Sequence, residues 1–128
     1  MAYAQMGEAA QNVTNGALYA LTPQAYSRRQ PDIIPGANAV TLQPGVYMVS
    51  YTVCADGSTP GDYRVIPMLN GVALMLYSAA GTSIASEQTG ISETFIINNT
   101  AISSFQLQAS LSVASMTQSV SVSIVKIA

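Results

Sequence analysis

The sequence predicts an all-β fold, an antiparallel two-sheet sandwich of jelly-roll type, and three observations predict it. Period-two alternation is clean in two places. Phe105, Leu107, Ala109, Leu111 and Val113 alternate with Ser104, Gln106, Gln108, Ser110 and Ser112, and Val120, Val122 and Ile124 alternate with Ser119, Ser121 and Ser123. Clusters of Gly, Pro, Asn and Asp punctuate the chain at short intervals, which gives about eight to ten short strands. No stretch carries a credible long helical period, so sheets must pack on sheets.

The first 38 residues differ from the rest. Met1 to Leu21 is rich in Ala, Gln and Asn, is broken by Gly7 and Gly16, and has Tyr3, Met6, Val13, Leu18, Tyr19 and Leu21 as scattered apolar anchors. Neither period fits it, so an extended arm with a short strand near Leu18 to Leu21 is expected. Pro23, Pro31 and Pro35 then stiffen a linker. The expected division is therefore an arm and linker over 1–38, which connects subunits, and a sandwich over 39–128.

In the sandwich, Pro44-Gly45 launches the run Val46 to Cys54, which reads as a central strand. Tyr47, Val49, Tyr51 and Val53 take one face; Val46, Met48, Ser50 and Thr52 take the other. The second face is neither charged nor plainly solvating, so protein is expected on both sides, the outer cover coming from another copy. Asn70-Gly71 is a two-residue hairpin signal joining Tyr63–Leu69 to Val72–Tyr77, because both central positions of a type I′ turn need positive φ. Pro67 within the first arm cannot donate to a ladder, so a sheet edge or a bulge is expected there. Ala79-Ala80-Gly81 is expected to turn the chain. Ser83 to Thr89 and Glu93 to Ile97 read as two strands parted by Gly90, and the C-terminal Val125 to Ala128 reads as paired within a sheet.

Composition excludes several function classes. At 128 residues the chain makes one domain, large enough for a core without staples. Only 8% of residues are charged, where about a quarter is usual, and this points to surfaces buried in an assembly or carrying a neutral hydroxyl coat. A net charge of −2, with Arg28-Arg29 as the one basic pair, argues against nucleic acid. No apolar run is long enough for a helical membrane span. The N-terminus has no signal-peptide pattern, so delivery without one is expected. There is no histidine, which removes the common general base and zinc ligand; together with the scattered carboxylates this predicts no enzyme and no cofactor. Glu87 with Glu93 as a glycosidase pair, and Asp56 with Asp62 as a calcium site, are poorer readings than solvated charges. Cys54 is the single cysteine, so no internal disulfide forms; the open question is whether it bridges chains. Asn12 and Asn98 sit in N-x-[ST] sequons, which matter only in a glycosylating compartment.

The run Pro44 to Val53 resembles the G-x-Y-x-x-x-Y strand of the tumour-necrosis-factor and complement globular-head superfamily. Pro67 to Gly71, Glu93 to Asn98 and Val120 to Ala128 resemble the heads of collagen-like exosporium glycoproteins of Bacillus-type spores. The resemblance covers about 41–128 and implies a trimeric jelly roll in which Met48 and Ser50 face the three-fold axis. With the alternation above, Gln106, Gln108, Ser121 and Ser123 are then expected to share that face as a polar seam. No Gly-x-y stalk is present. The expectation is a homotrimer that self-assembles head-to-tail through its arms, as a structural subunit of a spore-surface fibre, endospore appendage or exosporium layer, with an anchor and a tip protein as further partners. The alternative is a ligand- or glycan-binding trimeric head of an adhesin or phage-fibre tip.

Overall fold

The computed structural model describes residues 1–28 and 31–128. Its strands are β1 (Tyr3–Thr14), β2 (Thr22–Tyr26), β3 (Ile33–Pro35), β4 (Val40–Leu42), β5 (Gly45–Ala55), β6 (Gly61–Leu69), β7 (Val72–Ala73), β8 (Ala79–Ser83), β9 (Thr89–Asn99), β10 (Ser103–Leu111) and β11 (Ser115–Lys126), with one 3-10 turn at Met75–Tyr77. They form two antiparallel sheets. The first runs β2-β1-β11-β5-β9; the second runs β3-β4-β10-β6-β7, with β8 also on β6. This is the predicted two-sheet jelly roll.

The alternating strands do what their pattern requires. From β5 come Tyr47, Val49, Tyr51 and Val53, from β11 Val120, Val122 and Ile124, and from β10 Phe105, Leu107, Ala109 and Leu111, all buried between the sheets. Aromatic rings fill the centre. Tyr77 stacks on Phe95 with centroids 4.5 Å apart, Tyr51 meets Phe95 edge-on, and the Tyr51 hydroxyl donates to the Tyr77 carbonyl at 2.6 Å. Tyr19 ties a loop to β11: its hydroxyl donates at 2.6 Å to Oε1 of Gln118, a glutamine buried in the core. Burial drives the pKa of both Tyr19 and Tyr51 well above the usual phenol range.

The hairpin at Asn70-Gly71 forms as predicted, with φ of 51° and 75°. Pro67, however, lies on an interior strand. Its carbonyl accepts from Leu74 N–H, so its nitrogen faces the same side, where β7 has ended and β8 has not begun, and no donor is needed there.

Three sequence expectations are corrected. The boundary at 38 separates nothing, because β1 lies inside the first sheet between β2 and β11 and is the second strand of the sandwich. Met6, Val13, Tyr19 and Leu21, expected as connector anchors, are core residues; Leu18 is half-buried, bridging Gln108, and only Tyr3 among the six is exposed. The expected linker also contributes: Ile33 is buried and β3 pairs β4. The cause of the misreading is a bulge. The register with β11 shifts between Glu8 and Gln11, with Ala10 at φ 52°, so inward residues are even-numbered before it (Ala2, Ala4, Met6) and odd-numbered after it (Val13). Gly7 belongs to the strand, since a Cβ there would collide with the Val120 carbonyl. Second, Ala79-Ala80-Gly81 is strand β8 rather than a turn, and Thr89–Asn99 is one strand that includes Gly90. Third, Val72 to Tyr77 is a two-residue strand followed by the 3-10 turn.

Candidate functional site

The face of the first sheet that points away from the core is built from four strands in register. Reading across β1, β11, β5 and β9, one row is Tyr3, Val125, Met48 and Ile96. The next is Gln5, Ser123, Ser50 and Thr94, then Gly7, Ser121, Thr52 and Ser92. Ser119, Cys54 and Gly90 follow on three strands. The face is thus an apolar row at one end and hydroxyls beyond it.

Two properties set this face apart from an ordinary solvated surface. None of these row positions is charged, although each strand has charges elsewhere or adjoins them. Glu8 sits at the bulge and accepts a hydrogen bond from the Thr22 hydroxyl. The apolar row is also open: Tyr3 is 45% exposed, Met48 39% and Ile96 55%. Four of the hydroxyls beyond it, on Ser50, Thr94, Ser119 and Ser121, are already paired along the surface. Ser50 and Thr94 hydroxyls lie 2.9 Å apart, Gln5 Nε2 donates to Ser121 Oγ at 2.9 Å, and Ala10 N–H donates to Ser119 Oγ at 3.1 Å. Covering a hydroxyl that keeps its partner costs far less than covering a free one, so these four positions can be desolvated cheaply.

Of the six residues expected on a common seam, Met48, Ser50, Ser121 and Ser123 do share this face, with Ser50 directly opposite Ser123. Gln106 and Gln108 do not. They lie on β10 in the other sheet, opposite Met68 and Ile66, and Gln108 Nε2 donates to the Gly16 carbonyl at 3.1 Å. Alternation shows which residues leave the core but not from which sheet they leave. The residues missed were Tyr3, Val125 and Ile96. Tyr3 and Ile96 fall on the same side as Met48 only once the register is known.

On the solvent-facing side of the second sheet a shallow trough of about 530 Å³ is lined by Asp62, Arg64, Gly81, Thr82, Ser110 and Ser112. Arg64 Nη1 donates to Ser78 Oγ at 2.9 Å, and Asp62 Oδ1 accepts from the Thr82 hydroxyl at 2.9 Å. The carboxylates show no metal-binding cluster among the described residues. Asp56 is exposed and bound locally, accepting from the Ser58 hydroxyl at 2.7 Å and from Ser58 N–H at 2.9 Å; these bonds hold its carboxyl below the usual range. Glu93 accepts from Thr94 N–H on the free edge of β9. Arg28 lies 5.2 Å over the Tyr26 ring; Arg29 is outside the described residues. Cys54 is a half-buried free thiol on the first sheet's outer face.

The arrangement matches known folds. The globular domain of zebrafish complement 1qA protein superposes with a TM-score of 0.75 at 11% identity, covering 100% of this chain and 98% of that one. Eiger TNF from S. frugiperda gives 0.67 at 12% identity, covering 100% and 94%, and the PRD1 vertex protein P5 gives 0.68 at 11%, covering 99% and 97%. No protein-family model and no curated protein sequence matches the chain. The likeness is therefore one of fold: a tumour-necrosis-factor and complement-head jelly roll over the full length.

Proposed function

We propose that this chain is a trimeric head whose uncharged face packs against two sister copies, and that it serves as a structural subunit rather than as an enzyme. The observation that carries the reading is the row Tyr3, Val125, Met48 and Ile96, an open apolar line on a face with no charged residue, beside hydroxyls of which four already have partners. An isolated soluble surface would be expected to carry charge there. The number three rests on the resemblance to complement and tumour-necrosis-factor heads. Placement on a spore surface, in an exosporium layer or appendage, rests on the resemblance of Pro67 to Gly71, Glu93 to Asn98 and Val120 to Ala128 to exosporium heads. Because β1 is part of the sandwich, polymerisation through a free arm is not part of the proposal.

The test is the oligomeric state of the purified protein by light scattering, with Met48→Glu and Ile96→Glu as variants. Trimers that fall to monomers with unchanged circular dichroism support the reading. A wild-type monomer, or variants that remain trimers, contradict it. A second reading, a ligand-binding head, is favoured by the trough at Asp62 and Arg64, which offers donors, acceptors and small residues on the sheet that a trimer leaves outside. Glycan-array binding lost in Arg64→Ala would favour it.

A further inference from the structure

We propose that Asn70 is a site of spontaneous deamidation, held in check by a one-way hydrogen-bond relay that conversion to aspartate breaks. The direction of the relay follows from its buried end. Asn99 Nδ2 donates to the carbonyls of Leu42 at 3.1 Å and Gln43 at 3.0 Å, so its Oδ1 is left to accept, and Ser103 Oγ donates to it at 2.6 Å. With its only proton taken by Asn99 Oδ1 and by the Ala101 carbonyl at 3.0 Å, Ser103 Oγ accepts from Asn70 Nδ2 at 3.1 Å. Asn70 Oδ1 then accepts Ser104 N–H at 2.8 Å. Both ends of the Asn70 carboxamide are thus fixed, and three loops at one end of the sandwich are joined.

The chemistry is intramolecular. The Gly71 backbone nitrogen, after giving its proton to hydroxide, attacks Asn70 Cγ. The Cγ–Nδ2 bond breaks, ammonia leaves with a proton from water, and a succinimide remains. Water opens the ring at either carbonyl to give aspartate or isoaspartate, with nothing oxidised or reduced. Gly suits the step because it has no side chain to hinder the approach, and Gly71 lies in open space with no hydrogen bond to its N–H among the described residues. To reach Gly71 N, the carboxamide must swing away from both Ser103 and Ser104.

The other Asn-Gly step is guarded differently. Gly16 N–H donates to the Ala109 carbonyl at 2.9 Å, so the nucleophile itself is tied, while Asn15 Oδ1 accepts from Leu111 N–H at 2.9 Å. Conversion there keeps the acceptor. At position 70 it removes the donor: aspartate then competes with Asn99 Oδ1 and the Ala101 carbonyl for the one Ser103 proton, and Asn99 is buried. A long-lived assembly of this chain would gain one negative charge and a loosened loop cluster with each conversion.

The experiment is peptide mapping of the full chain after alkaline incubation, native and in urea, for wild type and Ser103→Ala. With each hydrogen bond contributing about 1 kcal/mol, native Asn70 should convert roughly thirty-fold more slowly than unfolded, and Ser103→Ala should recover roughly fivefold in the native state only. Equal native and unfolded rates, or Asn15 converting before Asn70 in the folded protein, would overturn the proposal. Should Ser103→Ala fail to fold, Asn70→Asp decides the second half. It should lower the urea midpoint; an unchanged midpoint would overturn the claim that the relay is directional.

Discussion

Replacing Met6 by alanine separates the two accounts of the N-terminal segment, one as a tether and the other as a core strand. Met6 is fully buried, paired on one side to Val122 of β11 and on the other to Pro23 of β2. Truncating a buried methionine removes its transfer free energy and leaves a cavity, together about 2–5 kcal/mol. With roughly 2.1 cal/mol/K of unfolding entropy per residue, a chain of 128 residues has about 0.27 kcal/mol/K, so a loss of about 3 kcal/mol lowers Tm by about 11 °C. The assay is thermal and urea unfolding followed by circular dichroism, at one fixed protein concentration because association contributes to apparent stability. Asn12→Ala, on the same strand but exposed, serves as the control and should stay within about 0.5 kcal/mol. A Met6→Ala shift below about 2 °C, no larger than that of the control, would refute the core assignment.

Other perturbations follow from the same packing. Tyr19→Phe leaves the Gln118 acceptor buried without its donor and should cost about 1–3 kcal/mol by urea titration. Ser83→Ala should be neutral or stabilising by up to about 1 kcal/mol, because the Ser83 hydroxyl is buried with no hydrogen-bond partner among the described residues. Tyr19 is held neutral by burial, its pKa raised above the unfolded value near 10. Its contribution is therefore complete below pH 10 and lost as pH rises beyond it, by about 1.4 kcal/mol per pH unit, and Tyr51 shifts in the same direction. Unfolding followed by tyrosinate absorbance should show that decline, and a flat profile through this range would count against it. The Lys126–Asp32 pair, 3.2 Å apart and partly exposed, should contribute no more than about 1 kcal/mol; Asp32→Asn should show this, with the difference shrinking in salt.

The strands legible in the sequence were those whose alternation runs unbroken. β5, β10 and β11 each keep one parity from end to end, so their buried sets followed from spacing alone. β1 was illegible because its parity changes at Ala10, and its small residues Ala4 and Gly7 give little hydrophobic signal, although Ala4 is buried and a close strand neighbour requires Gly7. β2 survives Pro23 because it is an edge strand whose register shifts at that point. Gly90 reads as a break, yet it lies inside β9 opposite Cys54, and a Cβ there would come within 3.1 Å of the Cys54 sulfur. The interaction face was half legible. Met48 and Ser50 followed from the parity of one strand, and Ser121 and Ser123 from that of another. The other sheet of Gln106 and Gln108, and the alignment of Tyr3, Val125 and Ile96 with Met48, depend on strand order and register, which are long-range facts.

Sedimentation equilibrium of the full chain at micromolar concentration tests the central claim most directly. A molar mass three times the 13.3 kDa of one chain, falling to a single chain when Met48 is replaced by glutamate, is the predicted result. A wild-type protein that sediments as one chain across the concentration range would contradict the account.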